Sequence, residues 1–170
     1  MKKKFLIHSV LILVLTFLLA SCNLGGDSNY SPQLLLLNPA KINTDSTLLL
    51  SHTSDGNIKF DSLHVEDTVT VFLRGDGFVN SLQKLNITVT EPGDITILAP
   101  HDSIARQYDS SSDFVGGKII FPENIGGMVY PFKFVASKPT SKTKINFVLT
   151  SDAKEVSNVS AIQIEFPIKP

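Results

Sequence analysis

Apolar and polar residues alternate along much of this chain with a period of two. In Lys84–Thr90 the apolar side chains of Leu85, Ile87 and Val89 fall on one side of an extended backbone. This period is typical of a β-strand with one face in a core and the other in solvent. Three further segments follow the same pattern, with Phe72 as an exception: Thr68–Arg74, Lys144–Thr150 and Ser160–Ile168.

Shorter apolar segments predict more strands, and no segment predicts a convincing helix. The additional strands are Leu34–Leu37, Thr47–Ser51, Ile58–Val65, Ile95–Leu98, Lys118–Phe121 and Tyr130–Ala136. Within Ile58–Val65 the first two apolar residues and the last two have opposite parity. We therefore expect a bulge or bend near Asp61 and Ser62.

Turn-forming residues separate these segments, and they cluster in Ser54–Asn57, Gly75–Gly77, Glu91–Asp94, Gly116–Gly117 and Gly126–Gly127. Many short strands at this spacing are typical of a β-sandwich or a barrel. A length of 170 residues permits one domain, and 42% hydrophobic residues suffice for a core. We predict an all-β fold, a single antiparallel β-sandwich over residues 33–170. The strand rhythm resembles that of immunoglobulin-like domains, without the paired cysteines and core tryptophan of antibody domains.

The first residues are typical of a secretory signal peptide. Three lysines at positions 2–4 precede the mostly apolar run Phe5–Leu19, and the small residues Ala20 and Ser21 follow. A transmembrane helix is the alternative, but it needs about twenty apolar residues to span the hydrocarbon. We predict that residues 1–21 are a signal peptide that is removed.

Cys22, the only cysteine of the chain, follows directly. Leu19-Ala20-Ser21-Cys22 resembles the lipobox of bacterial lipoprotein precursors, an aliphatic residue and two small residues before cysteine. The resemblance implies cleavage between Ser21 and Cys22, a diacylglycerol on the Cys22 thiol, and a fatty acid such as palmitate on its new amino group. Several acyl chains hold a protein stably on a membrane, since each buried methylene contributes about 0.8 kcal/mol. A buried cysteine and an intermolecular disulfide are the alternatives.

Residues 22–32 are predicted to tether the domain to this lipid. Asn23–Pro32 is rich in Gly, Ser, Asn and Pro, which favour flexible, solvated backbone. Such a tether extends to about 30 Å, which lifts a domain clear of the headgroups.

The charge of the mature chain argues against two kinds of partner. Without the three lysines, 12 basic residues remain against 16 acidic ones, a net charge of −4. Nucleic acid needs a basic surface, so we expect no nucleic-acid partner. Electrostatic binding to anionic lipid is disfavoured for the same reason.

No motif in the chain predicts catalysis or a cofactor. The histidines that remain after cleavage are His52, His64 and His101, without a Gly-x-Ser-x-Gly or His-Glu-x-x-His motif. Two carboxylate pairs, Glu66/Asp67 and Glu91/Asp94, are explained by solvated turns. We expect no catalytic residues, no metal and no cofactor.

Three weaker signals have plain alternatives. Arg74-Gly75-Asp76 spells the integrin-binding tripeptide, but Asp76-Gly77 after a strand favours a hairpin turn with positive φ. Asp55–Asn57, Asp76 and Asp109–Asp113 offer oxygen ligands for calcium, but they lack an EF-hand spacing. The chain has no Trp to stack on a sugar, and its only tyrosines are Tyr30, Tyr108 and Tyr130.

One short motif resembles the O-glycosylation site of exported Bacteroidota proteins, Asp followed by Ser or Thr and an aliphatic residue or Thr. It occurs at Asp45–Thr47, Asp61–Leu63, Asp67–Val69 and Asp102–Ile104. The resemblance implies a Bacteroidota-type envelope lipoprotein. Asn23 after the cysteine permits transfer to the outer membrane under the enterobacterial sorting rule.

The leading hypothesis is a non-catalytic envelope lipoprotein, lipid-anchored to the outer membrane through Cys22, that binds an unidentified protein or glycan or has a structural role. The second is a fimbrial-type subunit that completes another subunit's sheet with the apolar strand Gln33–Leu37. The first strand of its own domain is the alternative for that segment. The third is a glycan-handling or hydrolytic enzyme.

Overall fold

The computed structural model describes residues 30–43, 46–48, 51–52 and 58–170. Two β-sheets pack face to face, which confirms the predicted all-β sandwich. Sheet A contains β1 (Gln33–Ile42), β2 (Ser46–Leu48), β6 (Thr68–Asp76), β8 (Ile95–Leu98) and β10 (Gly127–Ala136). Sheet B contains β3 (Ser51–His52), β4 (Ile58–Lys59), β5 (Leu63–His64), β7 (Leu82–Val89), β9 (Lys118–Ile120), β11 (Thr140–Ser151) and β12 (Val159–Lys169).

The strand order is that of an immunoglobulin-like domain. Sheet A runs β2-β1-β6-β10-β8, and sheet B runs β3-β4-β12-β11-β7-β9 with β5 also beside β12. Taken in chain order, β1, β6, β7, β8, β10, β11 and β12 occupy the positions of strands A to G in a constant-type domain, ABED against CFG. All pairings are antiparallel except those of β12 with β4 and β5.

The strands predicted from alternation are confirmed. Val69, Val71 and Leu73 of β6 are buried, whereas Phe72 is only partly covered. The expected bend near Asp61 and Ser62 separates β4 from β5. Ile58, Phe60 and Leu63 are nevertheless all buried, because the bend turns the later residues back toward the core. Part of the predicted strand Thr47–Ser51 lies outside the described residues.

Aromatic rings from the two sheets meet in the core. Phe132 of β10 makes a T-shaped contact with Phe147 of β11, with ring centroids 5.2 Å apart. Phe134 of β10 stacks on Phe166 of β12 at 5.5 Å, and Phe60 stacks on the same ring. Such pairs add to the burial of apolar area, so they hold sheet A on sheet B.

The strand directions define two ends of the sandwich. The chain enters at Tyr30 at the upper end, which also holds the loops 77–81, 121–126 and 152–158. Backbone hydrogen bonds of 2.7 and 2.6 Å join Gly77 to Gly126 and Leu82 to Ile125. Asp152 ties the third loop in, because its carboxylate accepts from the Ser81 N–H at 2.8 Å. The lower end holds residues 65–67, 90–94 and 137–139.

The predicted hairpin after Arg74-Gly75-Asp76 is wrong. β6 lies in sheet A and β7 in sheet B, so the loop 77–81 crosses between the sheets. The positive φ falls on Phe78, at 57°, rather than on Asp76 or Gly77. The Asp76 carboxylate accepts the Phe78 N–H at 2.7 Å, and this bond fixes the start of the loop.

One short helix, α1 (Asp102–Ala105), was not expected from the sequence. Nδ1 of His101 accepts the Ser103 N–H at 3.3 Å and so caps the first turn. Four residues are too few to show a helical apolar period, which explains why the sequence did not predict it.

Candidate functional site

The predicted lipidation site Cys22 and the cleavage junction at Ser21 lie outside the described residues. The described chain begins at Tyr30, eight residues after Cys22. The Tyr30 carbonyl accepts a 2.9 Å hydrogen bond from the Asn80 side-chain amide, and its ring centroid lies 5.6 Å from that of Phe78. Contacts with the sandwich therefore begin before Gln33.

Exposed apolar side chains concentrate at this upper end. Eight large hydrophobic side chains are exposed among the described residues, and two of them, Leu37 and Val115, lie elsewhere. The other six, which we call the upper-end patch, are Tyr30, Leu35, Phe78, Val79, Val129 and Val159. Several exposed apolar side chains at one end of a folded domain are typical of a site of interaction.

Strand register places Leu35 and Val129 on the outer face of sheet A, with the exposed residue Arg74 between them. Leu35 of β1 and Val129 of β10 both lie opposite Arg74 of β6, two residues from the strand's upper end. The Leu34 N–H donates to the Ser160 hydroxyl at 3.1 Å, which brings the start of β1 beside that of β12. Val159, the first residue of β12, lies at the same end, but it faces the outer side of sheet B, whereas Leu35 faces the outer side of sheet A.

A second surface feature surrounds Tyr108, and we call it the Tyr108 groove. The Tyr108 ring makes T-shaped contacts with Phe114 at 5.9 Å and with Tyr130 at 5.6 Å. A cavity of about 450 Å³ lies on one side, lined by Tyr108, Phe114 and Arg106, and a second of about 230 Å³ lies on the other, beside Met128. The groove offers an aromatic wall beside a guanidinium.

Burial changes the ionisation of the two tyrosines in this region. Burial raises the pKa of Tyr108 to about 12. The pKa of Tyr130 is raised further, first by its own burial and then by the charge of an ionised Tyr108. Both phenols therefore keep their protons to a higher pH than an exposed tyrosine does. Tyr130 is itself buried in the core, and Tyr30 lies at the upper end, so the three tyrosines form no shared platform.

His64 and His101, the two histidines whose side chains the structure describes, contact groups close to them in the chain. His64 lies near Asp67 at the lower end, with Nδ1 3.9 Å from Oδ2, and its backbone N–H donates to that same oxygen at 2.7 Å. His101 caps α1 and contacts the Ser103 hydroxyl at 3.0 Å. The His52 side chain lies outside what the structure describes. Within the described ranges, no three His, Cys, Asp or Glu side chains are grouped so as to hold a metal ion.

The candidate carboxylates also bond to their own surroundings. Asp67 accepts from the Asn43 amide at 2.7 Å, and Asp94 accepts from the Thr143 hydroxyl at 2.6 Å. Asp109 accepts from the backbone and hydroxyl of Ser111, and these bonds hold the pKa of Asp109 below its usual value. Asp113 accepts the Gly116 N–H at 2.8 Å. Asp55–Asn57 lies outside the described residues.

The sequence did not reveal the upper-end patch or the Tyr108 groove. Leu35 lies in the uniformly apolar segment Leu34–Leu37, where no alternation distinguishes the two faces, and Val129 precedes the predicted strand Tyr130–Ala136. Phe78 follows Gly77 in a predicted turn, where an aromatic residue has no periodic signal. The one available clue was that Phe78 and Val79 are consecutive apolar residues in a loop, which a turn does not need.

The fold and these surfaces define an immunoglobulin-like β-sandwich with an apolar upper end. No family model matches this chain, and no curated protein matches it in sequence. Among solved structures, the crystal structure of a FixG-related protein from Vibrio parahaemolyticus is similar at 15% sequence identity and a TM-score of 0.35. The similarity covers 79% of this chain and 100% of that chain. In the described part of the chain, no helix has the length and hydropathy needed to span a membrane.

Proposed function

We propose that the protein is an exported lipoprotein, anchored to the cell envelope at the outer membrane through lipid on Cys22. Its sandwich is a non-catalytic binding or structural module. The observation that carries the proposal is the order of the first 22 residues, a basic head, an apolar run and Leu19-Ala20-Ser21-Cys22. The resemblance to lipoprotein precursors covers every position of the lipobox.

The start of the domain supports the same assignment. Tyr30 already contacts the sandwich, through its ring on Phe78 and its carbonyl on Asn80. The interval from Cys22 to Tyr30 is thus a short connection between a proposed anchor and a folded domain. An immunoglobulin-like sandwich hosts many functions, so the fold favours a module of this kind without selecting its ligand.

Side chains that would carry chemistry have structural partners, which supports a non-catalytic role. His101 caps a helix, and Asp94 and Asp67 bond to Thr143 and Asn43. Glu165 pairs with two lysines on the outer side of sheet B. The partner of the module remains an unidentified protein or glycan, and the Tyr108 groove is a candidate place for it.

Metabolic labelling with a radioactive fatty acid tests the anchor. The wild-type protein takes up label and sediments with membranes, whereas Cys22→Ser does neither. Ser21→Ala is the matched control, because a small residue is kept before the cysteine and labelling should persist. Equal labelling of Cys22→Ser and wild type contradicts the assignment.

A further inference from the structure

We propose that the upper end of the sandwich rests in the membrane interface, with Phe78 and Val79 inserted between the lipid headgroups to reach the acyl chains. The occupant of the upper-end patch is then the phospholipid surface that carries the anchor on Cys22. This inference rests on the proposed lipidation and goes beyond it, because a lipid anchor alone leaves the orientation of the domain open.

The polarity of the domain along its long axis is the first argument. At the tip of the loop 77–81, Val79 is 73% exposed and Phe78 is 49% exposed, and Tyr30 beside them is 60% exposed. At the lower end the exposed residues are polar or are turn formers, such as Glu66, Glu91, Pro92 and Lys138. The two ends of one sandwich therefore differ in the surface that they present to a partner.

The path of the chain is the second argument, and it is independent of exposure. Tyr30 is eight positions after Cys22, so the two residues are at most about 28 Å apart. Because the Tyr30 ring lies 5.6 Å from that of Phe78, the loop 77–81 is held to the same limit. The lower end is farther away by the length of the strands, about 30 Å for nine residues.

The side chains suit a lipid interface. Tyrosine has an apolar ring and a polar hydroxyl, and such residues are enriched at headgroup depth. Phe78 and Val79 are adjacent in the loop and bury apolar area on contact with acyl chains. An anchored domain needs little affinity to stay in contact, since the anchor keeps its local concentration high.

The charges at this end point to zwitterionic rather than anionic lipid. The upper end carries Asp76, Glu123, Asp152 and Glu155 against Arg74 and Lys154. A negative balance gives no attraction to an anionic surface. The contact is therefore apolar insertion, and phosphatidylcholine vesicles are the appropriate probe.

A single tryptophan can report this contact, because the chain has none of its own. In lipidated Phe78→Trp bound to phosphatidylcholine vesicles, the emission shifts to the blue, and lipids brominated on the acyl chains quench it at least twofold. Val79→Trp is a second reporter with the same expectation. Glu91→Trp at the lower end is the matched control. It removes a negative charge, which favours membranes if anything, yet its emission stays unshifted and unquenched.

Four outcomes overturn the proposal, and they are distinguishable. Vesicle flotation with unquenched tryptophan at 78 and 79 refutes insertion and leaves the lipoprotein assignment intact. A blue shift without bromine quenching assigns the patch to a second copy or another protein instead of lipid. Failure to float, together with absence of fatty-acid label, refutes the anchor and this inference with it. Equal quenching at 91 and 78 also contradicts the predicted orientation.

Discussion

The hydroxyl of Thr143 donates a 2.6 Å hydrogen bond to the carboxylate of Asp94, and both residues are buried at the lower end. Asp94 directly precedes β8 of sheet A, whereas Thr143 belongs to β11 of sheet B. The bond therefore joins the two sheets through side chains. The Asp94 carbonyl also accepts from the backbone of Ser137 at 2.8 Å, so one residue organises several chain segments.

Thr143→Val should lower the free energy of unfolding by about 1–3 kcal/mol, because it leaves a buried carboxylate without this donor. Urea unfolding followed by circular dichroism measures the change. Thr143→Ser is the control, since it keeps the hydroxyl and loses one methyl group, worth about 0.8 kcal/mol. Equal losses in the two variants would show that the hydroxyl contributes nothing.

Glu165→Gln should make stability less dependent on pH in the acid range. Lys142 at 2.9 Å and Lys59 at 3.2 Å contact the Glu165 carboxylate, and the hydrogen bond from Lys142 is the main cause that lowers its pKa. A lowered pKa stabilises the fold above the ordinary glutamate value of about 4.3, and this is lost as pH falls through the folded-state pKa.

Both lysines are about half exposed, so wild type and Glu165→Gln should differ in free energy of unfolding by less than about 1 kcal/mol at neutral pH. Thermal unfolding across the acid range, at low and high salt, measures it. Wild type and Glu165→Gln should converge as the pH drops. Glu155→Gln, in the exposed loop 152–158, is the control and should show no such convergence. A stability difference between wild type and Glu165→Gln that grows in acid would contradict the expected direction.

Gly117→Ala should destabilise the fold more than Gly93→Ala does. Both glycines have positive φ, 74° and 98°, where a side chain costs about 1–2 kcal/mol. A Cβ at Gly93 meets open space, but one at Gly117 collides with the backbone carbonyl of Ile87. The collision should add about 1–3 kcal/mol. Equal urea midpoints for the two variants would show that β9 can move away from β7.

Tyr108→Phe should remove an ionisation step from the alkaline titration of the folded protein. Burial raises the pKa of Tyr108 to about 12, above the ordinary value of 10.0. The raised pKa contributes stability below pH 10, and that contribution is lost as pH rises through about 12. Phenolate absorbance measures the step. Tyr30→Phe is the control, because the exposed Tyr30 ring lies outside the Tyr108 groove. Removing the Tyr30 hydroxyl should leave the ionisation step of Tyr108 unchanged.

Purified protein in unboiled SDS gel samples should migrate as one monomer band. Leu34–Leu37 of β1 pairs with Leu73, Gly75 and their neighbours in β6 of the same chain, in the place that a donated strand would need. A ladder of SDS-resistant oligomers is the outcome expected of strand exchange. Its appearance would favour the fimbrial-type hypothesis, and boiled samples serve as the control.

Strand identity was predictable where apolar residues alternate. Leu85 and Ile87 in β7, and Phe147 and Leu149 in β11, are buried, and their neighbours on the other face are less buried, as the alternation of the sequence indicates. The bend between Phe60 and Leu63 was also predictable, because the apolar residues occupy even positions before it and odd positions after it.

Pairing and surface sites were not predictable, because they depend on residues far apart in the chain. Nothing local to Asp76 indicates that the next strand belongs to the other sheet, so the sequence suggested a hairpin there. The bond between Asp94 and Thr143 joins positions 49 residues apart. Likewise, Phe78 can be recognised as part of an exposed apolar end only when the fold shows that Tyr30 and Val129 lie at the same end.

The position of β12 has a consequence for the order in which the domain can assemble. Residues 159–169 are the last element along the chain, yet they lie inside sheet B, between β11 and β4. Until they arrive, Phe134 and Phe60 lack the ring of Phe166 between them. If the chain crosses a membrane from its N-terminus, the core cannot be completed until β12 has crossed. The domain would then finish folding only on the far side.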